Sequence, residues 1–398
     1  MNILLLENIH PIAKQRLEEA GHQVDLIGHS PGPSEMKELF SKYEVVGVRS
    51  KTQLTANVLK ESPHLKAIGC FCIGTNQVEL QQAKKIGACV FNAPHSNTRS
   101  VAELVLAEMV MLSRQLGDKN TLAHQGTWLK SAKGSNEIRG KKLGIVGYGH
   151  IGSQVSVLAE SFGLNVCFFD ITKKLPLGNA QAMASLDELL EQCDFVTLHV
   201  PETEETQDML GKKQFQQMKQ GSYLINASRG SVVVIDDLVE ALKSHQLAGA
   251  AVDVFPSEPA SNKEQFESPL QNLENVILTP HIGGSTEEAQ LSIGVEVAES
   301  LINYMGNGST AGSVNFPNID ISEKKKGSRI VNVHKNVPGV LGSINGLISA
   351  HGANIEAQFL ATDEEIGYLV IDVNGNNVEE LAVQIKDLNS SIITRMIQ

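Results

Sequence analysis

Short apolar runs alternate with amphipathic stretches through the first hundred residues of this chain. The runs are Ile3 to Leu6, Val24 to Ile27, Val45 to Val48, Ala67 to Cys70 and Cys89 to Asn92. Runs of this length are typical of buried strands, and the stretch from Ile12 to Ala20 ends at Gly21, as helices often do. The alternation predicts a parallel sheet covered by helices.

The same alternation continues in the middle of the chain. A long helical pattern begins at Ser100, and Ser185 to Cys193 has the pattern of a serine-capped helix. Buried strands are predicted at Asp194 to Val200, Tyr223 to Asn226, Ala250 to Phe255 and Val276 to Leu278. Ser285 and Glu288 have the spacing of a capping box, which predicts a helix from there to about Tyr304.

The composition then changes. Gly306 to Ser313 is predicted to be a flexible or loop segment, and Glu323 to Gly327 a charged linker. The remaining residues predict the order β-α-β-β-α-β of a small ferredoxin-like module. Its strands are predicted at 329–334, 355–361, 367–373 and 392–397, and its helices at 338–351 and after Asn377.

A glycine fingerprint follows the apolar run from Leu143 to Val146. Gly147 permits a tight turn, Gly149 allows a pyrophosphate to approach the backbone, and Gly152 allows the next helix to pack closely on the strand. Asp170, eighteen residues beyond Gly152, ends the next apolar run and suits the ribose hydroxyls of NAD. The pattern predicts a dinucleotide site that favours NAD over NADP, although Lys173 and Lys174 weaken that preference.

Three later strand ends carry the residue types that hydride transfer from a 2-hydroxy acid requires. His281 can exchange the hydroxyl proton, Glu258 can orient the imidazole, and Arg229 can hold the substrate carboxylate. Each has an ordinary alternative as a surface or loop residue, and it is their joint placement after the fingerprint that favours catalysis. Asp253 either accepts a hydrogen bond from the nicotinamide carboxamide or caps a turn.

Arg49 and Lys51 follow a predicted strand of the first sheet. Ligands of open parallel sheets bind beyond the carboxyl ends of the strands, so the two cations either clamp an anionic group or belong to a solvated loop. Trp128 is the single tryptophan; exposure would indicate a subunit contact and burial a core position.

Composition narrows the function classes. At 398 residues, 41% apolar and 20% charged, the chain is sized for about two to three ordinary globular domains. A net charge of −12 disfavours nucleic acid, and no apolar run has the length of a membrane span. The N-terminus lacks the pattern of a signal peptide, which predicts a cytoplasmic protein. The five cysteines are predicted to be reduced and mostly buried, with no metal site.

The motifs together resemble the D-isomer-specific 2-hydroxyacid dehydrogenases, joined to a C-terminal ACT domain. The resemblance rests on Arg49 to Thr52, Asn97 to Glu103, the glycine fingerprint, Asn226 to Gly230, Asp253 with Glu258, and Pro280 to Gly284. It implies an α/β fold with two doubly wound parallel sheets, Rossmann-like and flavodoxin-like, plus the ferredoxin-like module. The implied boundaries are a substrate domain at 1–97 completed by 286–316, an NAD domain at 98–285, a linker at 317–327 and an ACT domain at 328–398.

The resemblance also implies roles for individual residues. Arg229, Glu258 and His281 would be catalytic, with His281 the proton donor in the reducing direction. NAD would contact Gly147, Gly149, His150, Ile151, Gly152, Asp170, Ala227, Ser228, Arg229, Asp253, His281, Ile282, Gly283 and Gly284. The substrate, 3-phosphoglycerate, would contact Arg49, Ser50, Lys51, Ile73, Gly74 and Asn97. L-serine would act as an effector on His334, Asn336 and Asn354 at a subunit interface, within a homotetramer.

Two positions depart from the family pattern, and other functions stay open. Lys51 stands where close relatives often have arginine, and the predicted linker has a single glycine, Gly327, after three lysines. Alternatives within the class are a glyoxylate or D-lactate type of reductase and a 2-oxoglutarate reductase. An alternative outside it is an NAD-sensing binding protein that resembles corepressors of this fold.

Overall fold

A computed structural model of the chain describes residues 1–259, 263–321 and 327–397. The chain divides into two compact units: residues 1–96 with residues from 290 onward, and residues 97–289. The predicted boundaries of four segments stay a prediction, and residues 322–326 of the predicted linker lie outside the described residues.

The first unit contains a five-stranded parallel sheet in the order β2-β1-β3-β4-β5. This is the flavodoxin-like doubly wound order, which confirms the sequence-based fold class for this part of the chain. Its elements are β1 Asn2–Leu6, α1 Pro11–Glu19, β2 Gln23–Ile27, α2 Pro33–Phe40, β3 Val45–Val48, α3 Ala56–Lys60, β4 Ala67–Cys70, α4 Leu80–Lys85 and β5 Cys89–Phe91.

The second unit contains a seven-stranded parallel sheet in the order β12-β11-β10-β9-β6-β7-β8. Read from β6, this is the Rossmann order, so the predicted nucleotide-binding fold is confirmed. Its elements are α5 Thr98–Arg114, α6 Leu116–His124, β6 Lys142–Val146, α7 His150–Ser161, β7 Asn165–Phe169, β8 Gln181–Ala182, α8 Leu186–Gln192, β9 Phe195–Leu198, α9 Lys212–Gln217, β10 Ser222–Asn226, α10 Ile235–Lys243, β11 Leu247–Val252 and β12 Val276–Leu278. The helix α11, Glu287–Gly306, follows.

The C-terminal residues form the predicted four-stranded antiparallel sheet, in the order β14-β15-β13-β16. The elements are β13 Ser328–Lys335, α12 Val340–Ala350, β14 Asn354–Thr362, β15 Ile366–Asn374, α13 Val378–Lys386 and β16 Ser391–Ile397. One sheet face packs on α12 and α13 through Ile330 and Ile371. The other face, through Val331 and Tyr368, joins the same core as β1 and the second half of α11.

Two local predictions are wrong. The strand predicted at Ala250 to Phe255 is β11, which ends at Val252, because β12 pairs only as far as that residue. The helix α11 is capped one residue later than predicted: Thr286 Oγ1 accepts from the Ala289 N–H, whereas the Ser285 N–H is used in a turn with Ile282 O. A hydroxyl cap is therefore present one residue later than predicted, and Ala289 at the N3 position has no side-chain acceptor with which to complete a capping box.

The segment Gly306 to Ser313 continues from the end of α11 as a loop, which is one of the two possibilities predicted for it. Thr310 is fully buried, and its hydroxyl donates to Pro317 O and accepts from Ile319 N–H at 2.7 and 2.8 Å. The glycine and serine content therefore reflects a turn that is fixed by hydrogen bonds.

The structure also describes the cysteines and the lengths of the apolar helices, about which the sequence made predictions. All five cysteines are free, and all but Cys72 are buried. Within the described residues, no helix is long and apolar enough to span a bilayer.

Candidate active site

The glycine turn joins β6 to α7. Gly147 has φ +90°, and a Cβ there would overlap the carbonyl oxygen of His199, while a Cβ at Gly152 would overlap the carbonyl oxygen of Gly147. A Cβ at Gly149 would meet no heavy atom within 4 Å. The protein's own packing therefore requires glycine at the first and third positions, and the second leaves room for a ligand. Among the described residues, no side-chain hydrogen bond caps the N-terminus of α7, so its N–H groups suit a phosphate.

Asp170 lies at the end of β7 and also stabilises this turn. Its Oδ2 accepts from Tyr148 N–H at 2.9 Å, and its Oδ1 accepts from the N–H and hydroxyl of Thr172. Burial raises the pKa of the carboxyl, but the hydrogen bonds from Thr172 and Tyr148 outweigh it and lower the pKa. The lowered pKa favours the ionised form of Asp170, which suits ribose hydroxyls and disfavours a 2′-phosphate.

Asp253 organises the loop that carries the histidine. Its Oδ1 accepts from the Thr279 hydroxyl at 2.6 Å and the Ile282 N–H at 2.8 Å, and its Oδ2 accepts from the Gly283 N–H at 2.8 Å. Its carbonyl oxygen accepts from the His281 N–H at 2.9 Å. Asp253 is 2% exposed. Of the two interpretations offered by the sequence, the turn-capping one describes the contacts seen here.

His281 and Glu258 form a hydrogen-bonded pair. The distance from His281 Nδ1 to Glu258 Oε2 is 2.8 Å, and the side chains are 52% and 36% exposed. The bond from Glu258 raises the pKa of His281, and burial only partly offsets this. Burial raises the pKa of Glu258, but the bonds from His281 and from the Phe255 N–H outweigh it and lower that pKa. The pair thus favours a charged imidazolium beside a charged carboxylate.

His281 adopts the left-handed backbone conformation, with φ +54°. A non-glycine residue in this region is uncommon, and such residues concentrate at functional sites. The hydrogen bonds to Asp253 hold the backbone there and direct Nδ1 at Glu258, which leaves Nε2 as the nitrogen able to exchange a proton with a substrate.

Arg229 follows β10 and completes the predicted set. Its charge acts on both Glu258 and His281, lowering the pKa of each, so the three groups share one electrostatic environment. Its Nη1 donates to Ser228 O at 2.7 Å, and the Asn226 side chain accepts from Ser228 and donates to Arg229 O. Arg229, Glu258 and His281, which the sequence places after successive strands, are therefore close enough to influence one another's charge.

The remaining predicted cofactor residues lie in the same unit. His150 and Ile151 begin α7, Ala227 follows β10, and Gly283 and Gly284 belong to the histidine loop. Asn97, predicted to contact the substrate, packs against Gly284 and is 8% exposed. Its buried Oδ1 has no hydrogen-bond partner among the described residues, so it is an acceptor that a ligand could use.

The other predicted substrate residues lie in the first unit. Arg49, Ser50 and Lys51 form the loop after β3, and Ile73 and Gly74 lie in the loop after β4. Because β3 and β4 are adjacent parallel strands, both loops lie at the same edge of the sheet. Ser50 and Lys51 are exposed and Arg49 is partly exposed. Their position beyond the carboxyl ends of the strands is the one predicted for a ligand-binding loop.

The predicted effector residues are not all brought together within one chain. His334 is 3% exposed and its Nδ1 bonds to Asn332 Oδ1, and Asn336 follows on the same strand end. Asn354 pairs with Asn374, whereas His334 pairs with Gly367 at the opposite end of β15. At about 3.4 Å per residue, the two ends are roughly 25 Å apart.

Glu108 has an unusual environment, and it was not among the predicted site residues. Glu108 lies on the apolar face of α5 at 2% exposure, and neither carboxyl oxygen has a hydrogen-bond partner among the described residues. Burial, followed by the nearby charge of Asp253, raises its pKa to about 8. The sequence could have indicated this burial, because Glu108 is in helical register with Val101, Val105 and Leu112 on the buried face of α5.

Comparison with known families supports the assignment of both regions. Residues 106–283 match the model of the D-isomer specific 2-hydroxyacid dehydrogenase NAD binding domain. Residues 330–392 match the model of the AHAS small subunit-like ACT domain.

The sequence similarity to several relatives extends over the whole chain. A D-3-phosphoglycerate dehydrogenase from Haemophilus influenzae is 50% identical over 100% of this chain and 97% of its own length. The proteins of the same name from Dictyostelium discoideum and Escherichia coli are also 50% identical, with the same coverage.

Solved structures with the same fold cover four fifths of the chain. A protein from Thermus thermophilus, 30% identical, has a TM-score of 0.71 over 79% of this chain and 100% of its own. A D-lactate dehydrogenase from Aquifex aeolicus, complexed with NAD and lactic acid, has a TM-score of 0.69 at 27% identity, with the same coverage.

Proposed function

The chain belongs to the D-isomer specific 2-hydroxyacid dehydrogenases, and within that family we propose that it oxidises 3-phosphoglycerate at C2, with NAD as the cofactor. The observation that carries the chemistry is the pairing of His281 with Glu258 near Arg229, at strand ends of the sheet that holds the glycine turn. The choice of substrate follows the name shared by relatives at 50% identity over the full chain.

The protein's own groups supply binding and proton transfer. NAD, when bound, accepts the hydride from C2. In the oxidising direction, neutral His281 takes the hydroxyl proton at Nε2, and Glu258 stabilises the resulting imidazolium through Nδ1. Arg229 holds the carboxylate and stabilises negative charge that develops on the C2 oxygen. In the reducing direction, protonated His281 returns the proton.

Arg49 and Lys51 are proposed to bind the phosphate at the far end of the substrate. Arginine provides a planar fork that matches phosphate oxygens, and lysine adds a point charge. Ser50, Ile73 and Gly74 would line the same edge of the sheet, and Asn97 would offer its unused Oδ1 to a substrate hydroxyl. A distal carboxylate satisfies the same cations, so 2-oxoglutarate is the second substrate to test.

The C-terminal module is proposed to bind L-serine and to inhibit the enzyme. The distance between Asn354 and His334 within one chain supports a site completed by a second copy, with His334 and Asn336 from one subunit and Asn354 from its partner. Trp128 is 88% exposed, which supports a subunit contact at its loop and the predicted homotetramer. A cytoplasmic location also stays a prediction.

Steady-state oxidation of NADH with a panel of 2-oxo acids tests these proposals. We expect phosphohydroxypyruvate to give the highest kcat/KM, with 2-oxoglutarate lower and glyoxylate and pyruvate far lower, and serine to reduce the rate. Preference for pyruvate or glyoxylate would overturn the substrate assignment. NADH binding without turnover of any 2-oxo acid would support the NAD-sensing alternative.

A further inference from the structure

Glu7 lies at the carboxyl end of β1, directly beside the loop that carries Arg49 and Lys51. It is 8% exposed, and its backbone is left-handed with φ +61°. Its Oε1 accepts from the N–H groups of Arg49 and Thr52 at 3.2 and 2.8 Å, and its Oε2 accepts from the N–H of Lys51 at 3.0 Å. One buried carboxylate thus binds three of the four N–H groups of residues 49–52.

Gln77 holds the same loop from the other side. Its Nε2 donates to the carbonyl oxygen of Arg49 at 2.7 Å, and the residue is 6% exposed. The same nitrogen lies 3.4 Å from Gly74 O, in the second predicted substrate loop. Both backbone polar groups of Arg49 are therefore bonded to buried side chains from outside its own loop.

These contacts decide what the loop can offer to a ligand. Converging N–H groups would form an anion-binding nest, but Glu7 already occupies three of them. These three N–H groups are therefore not available to an anion, and the side chains of Arg49 and Lys51 are the cationic groups that this loop can offer. Hydrogen bonds from N–H groups to a carboxylate are stronger than those to a neutral acceptor. The backbone from which the side chains of Arg49 and Lys51 project is therefore held firmly.

We propose that Glu7 and Gln77 are positioning residues that set the preference of this enzyme for a substrate with a distal phosphate. They act by holding the backbone from which the two cations project, and they do not touch the substrate themselves. The inference rests on the proposed function, in which Arg49 and Lys51 bind the phosphate.

The test is Glu7→Gln, assayed with phosphohydroxypyruvate and with glyoxylate, which has no distal group. Glutamine keeps the shape, but its amide NH₂ faces backbone N–H groups and must lose at least one bond. Because small displacements of binding groups cost one to two orders of magnitude, we expect KM for phosphohydroxypyruvate to rise about tenfold, with kcat within about twofold. The kcat/KM for glyoxylate should stay within about twofold.

Glu44→Gln is the matched control. Glu44 accepts from Asn2 N–H and pairs with Lys66 at 2.5 Å on the same sheet, but it precedes β3 and so lies at the opposite end of the strand. The Glu44→Gln variant loses a carboxylate from the same unit, but Glu44 does not contact the 49–52 loop. The kcat and KM values for both substrates should therefore match those of the unaltered enzyme. An equal KM rise in this variant would overturn the inference.

A double-mutant cycle with Arg49→Ala separates positioning from general destabilisation. If Glu7 acts through Arg49, then the KM effect of Glu7→Gln should fall to less than about threefold when Arg49 is already alanine. Fully multiplicative effects, or an equal loss on glyoxylate, would overturn the inference. If Glu7→Gln does not fold, Gln77→Leu is tested by the same criteria.

Failure of this inference differs from failure of the proposed function. If the unaltered enzyme does not turn over phosphohydroxypyruvate, the proposed function is wrong. If it does and both Glu7→Gln and Gln77→Leu keep the same KM, the proposed function stands and the inference is wrong.

Discussion

Replacing Glu258 by glutamine should lower the pKa of His281, because the hydrogen bond and charge of Glu258 are what raise it. The substitution keeps a hydrogen-bond acceptor beside Nδ1 but removes the charge that favours the imidazolium. For atoms 2.8 Å apart, the Coulomb energy is about 1.5 kcal/mol at the dielectric constant of water and about 6 kcal/mol at an effective value of 20. The side chains are 52% and 36% exposed, so solvent screening favours the lower figure.

The sign of the effect depends on the direction of the reaction. In the proposed mechanism reduction needs protonated His281, so its rate should fall as the pH rises through the raised pKa of that group. In Glu258→Gln this fall should occur at lower pH, and the rise of the oxidation rate should also begin at lower pH. We also expect kcat to drop by about one to two orders of magnitude, because the imidazole loses part of its orientation.

The assay is the pH dependence of kcat/KM for phosphohydroxypyruvate, measured with saturating NADH from pH 5.5 to 9.5. Glu240→Gln is the control, since Glu240 pairs with Lys212 at 3.0 Å on the exposed surface of the same unit. Its profile should match that of the unaltered enzyme. An unchanged apparent pKa in Glu258→Gln would refute the reasoning, because His281 would then not titrate under the influence of this carboxylate.

Three further predictions concern other parts of the molecule. Arg49→Ala should lower kcat/KM for phosphohydroxypyruvate about 30-fold, as expected for lost charge-assisted bonds, and an equal loss on glyoxylate would contradict its assigned role. Gly149→Ala should weaken NADH binding at least about tenfold in a titration while preserving the melting temperature, because a Cβ there meets no protein atom. Gly152→Ala, whose Cβ overlaps the Gly147 carbonyl, should instead cost about 1–3 kcal/mol of stability, and the opposite ranking in thermal unfolding would exclude this reading of the turn. Glu108 stays protonated in the folded protein up to about pH 8 but ionises near 4.5 when unfolded, so the unfolding free energy should fall by about 1.4 kcal/mol per pH unit between these values. Urea unfolding should show that Glu108→Gln lacks this decline, and parallel pH curves for the two proteins would contradict it.

The sequence was sufficient for the features that depend on periodicity and on strand ends. Alternating runs located the strands of all three sheets except the two-residue β8. The positions of Arg229, Glu258 and His281 after the successive strands β10, β11 and β12 were enough to predict that they lie at one edge of the sheet. Glycines at 147 and 152 could be assigned because a turn and a close helix contact exclude a side chain there.

The features that could not be predicted from the sequence depend on the hydrogen-bond partner of each polar group. Glu7 appears as an isolated charge after an apolar strand, and nothing local indicates that its acceptors are N–H groups forty residues away. Thr286 and Ser285 are equivalent caps by composition, and the structure selects between them through a turn at Ile282. Hydrophobic periodicity reports burial, but it carries no information on long-range hydrogen bonding.

Asp253 has a consequence for how this enzyme can be altered. Its N–H donates to Asn226 O, its carbonyl accepts from His281, and its carboxylate accepts from three donors in the segment that contains the histidine. The backbone of the histidine segment is therefore held to the central sheet by Asp253, while Glu258 orients the imidazole. Redesign of substrate preference should carry over this aspartate, Glu258 and the five residues from Thr279 to Gly283 as one block.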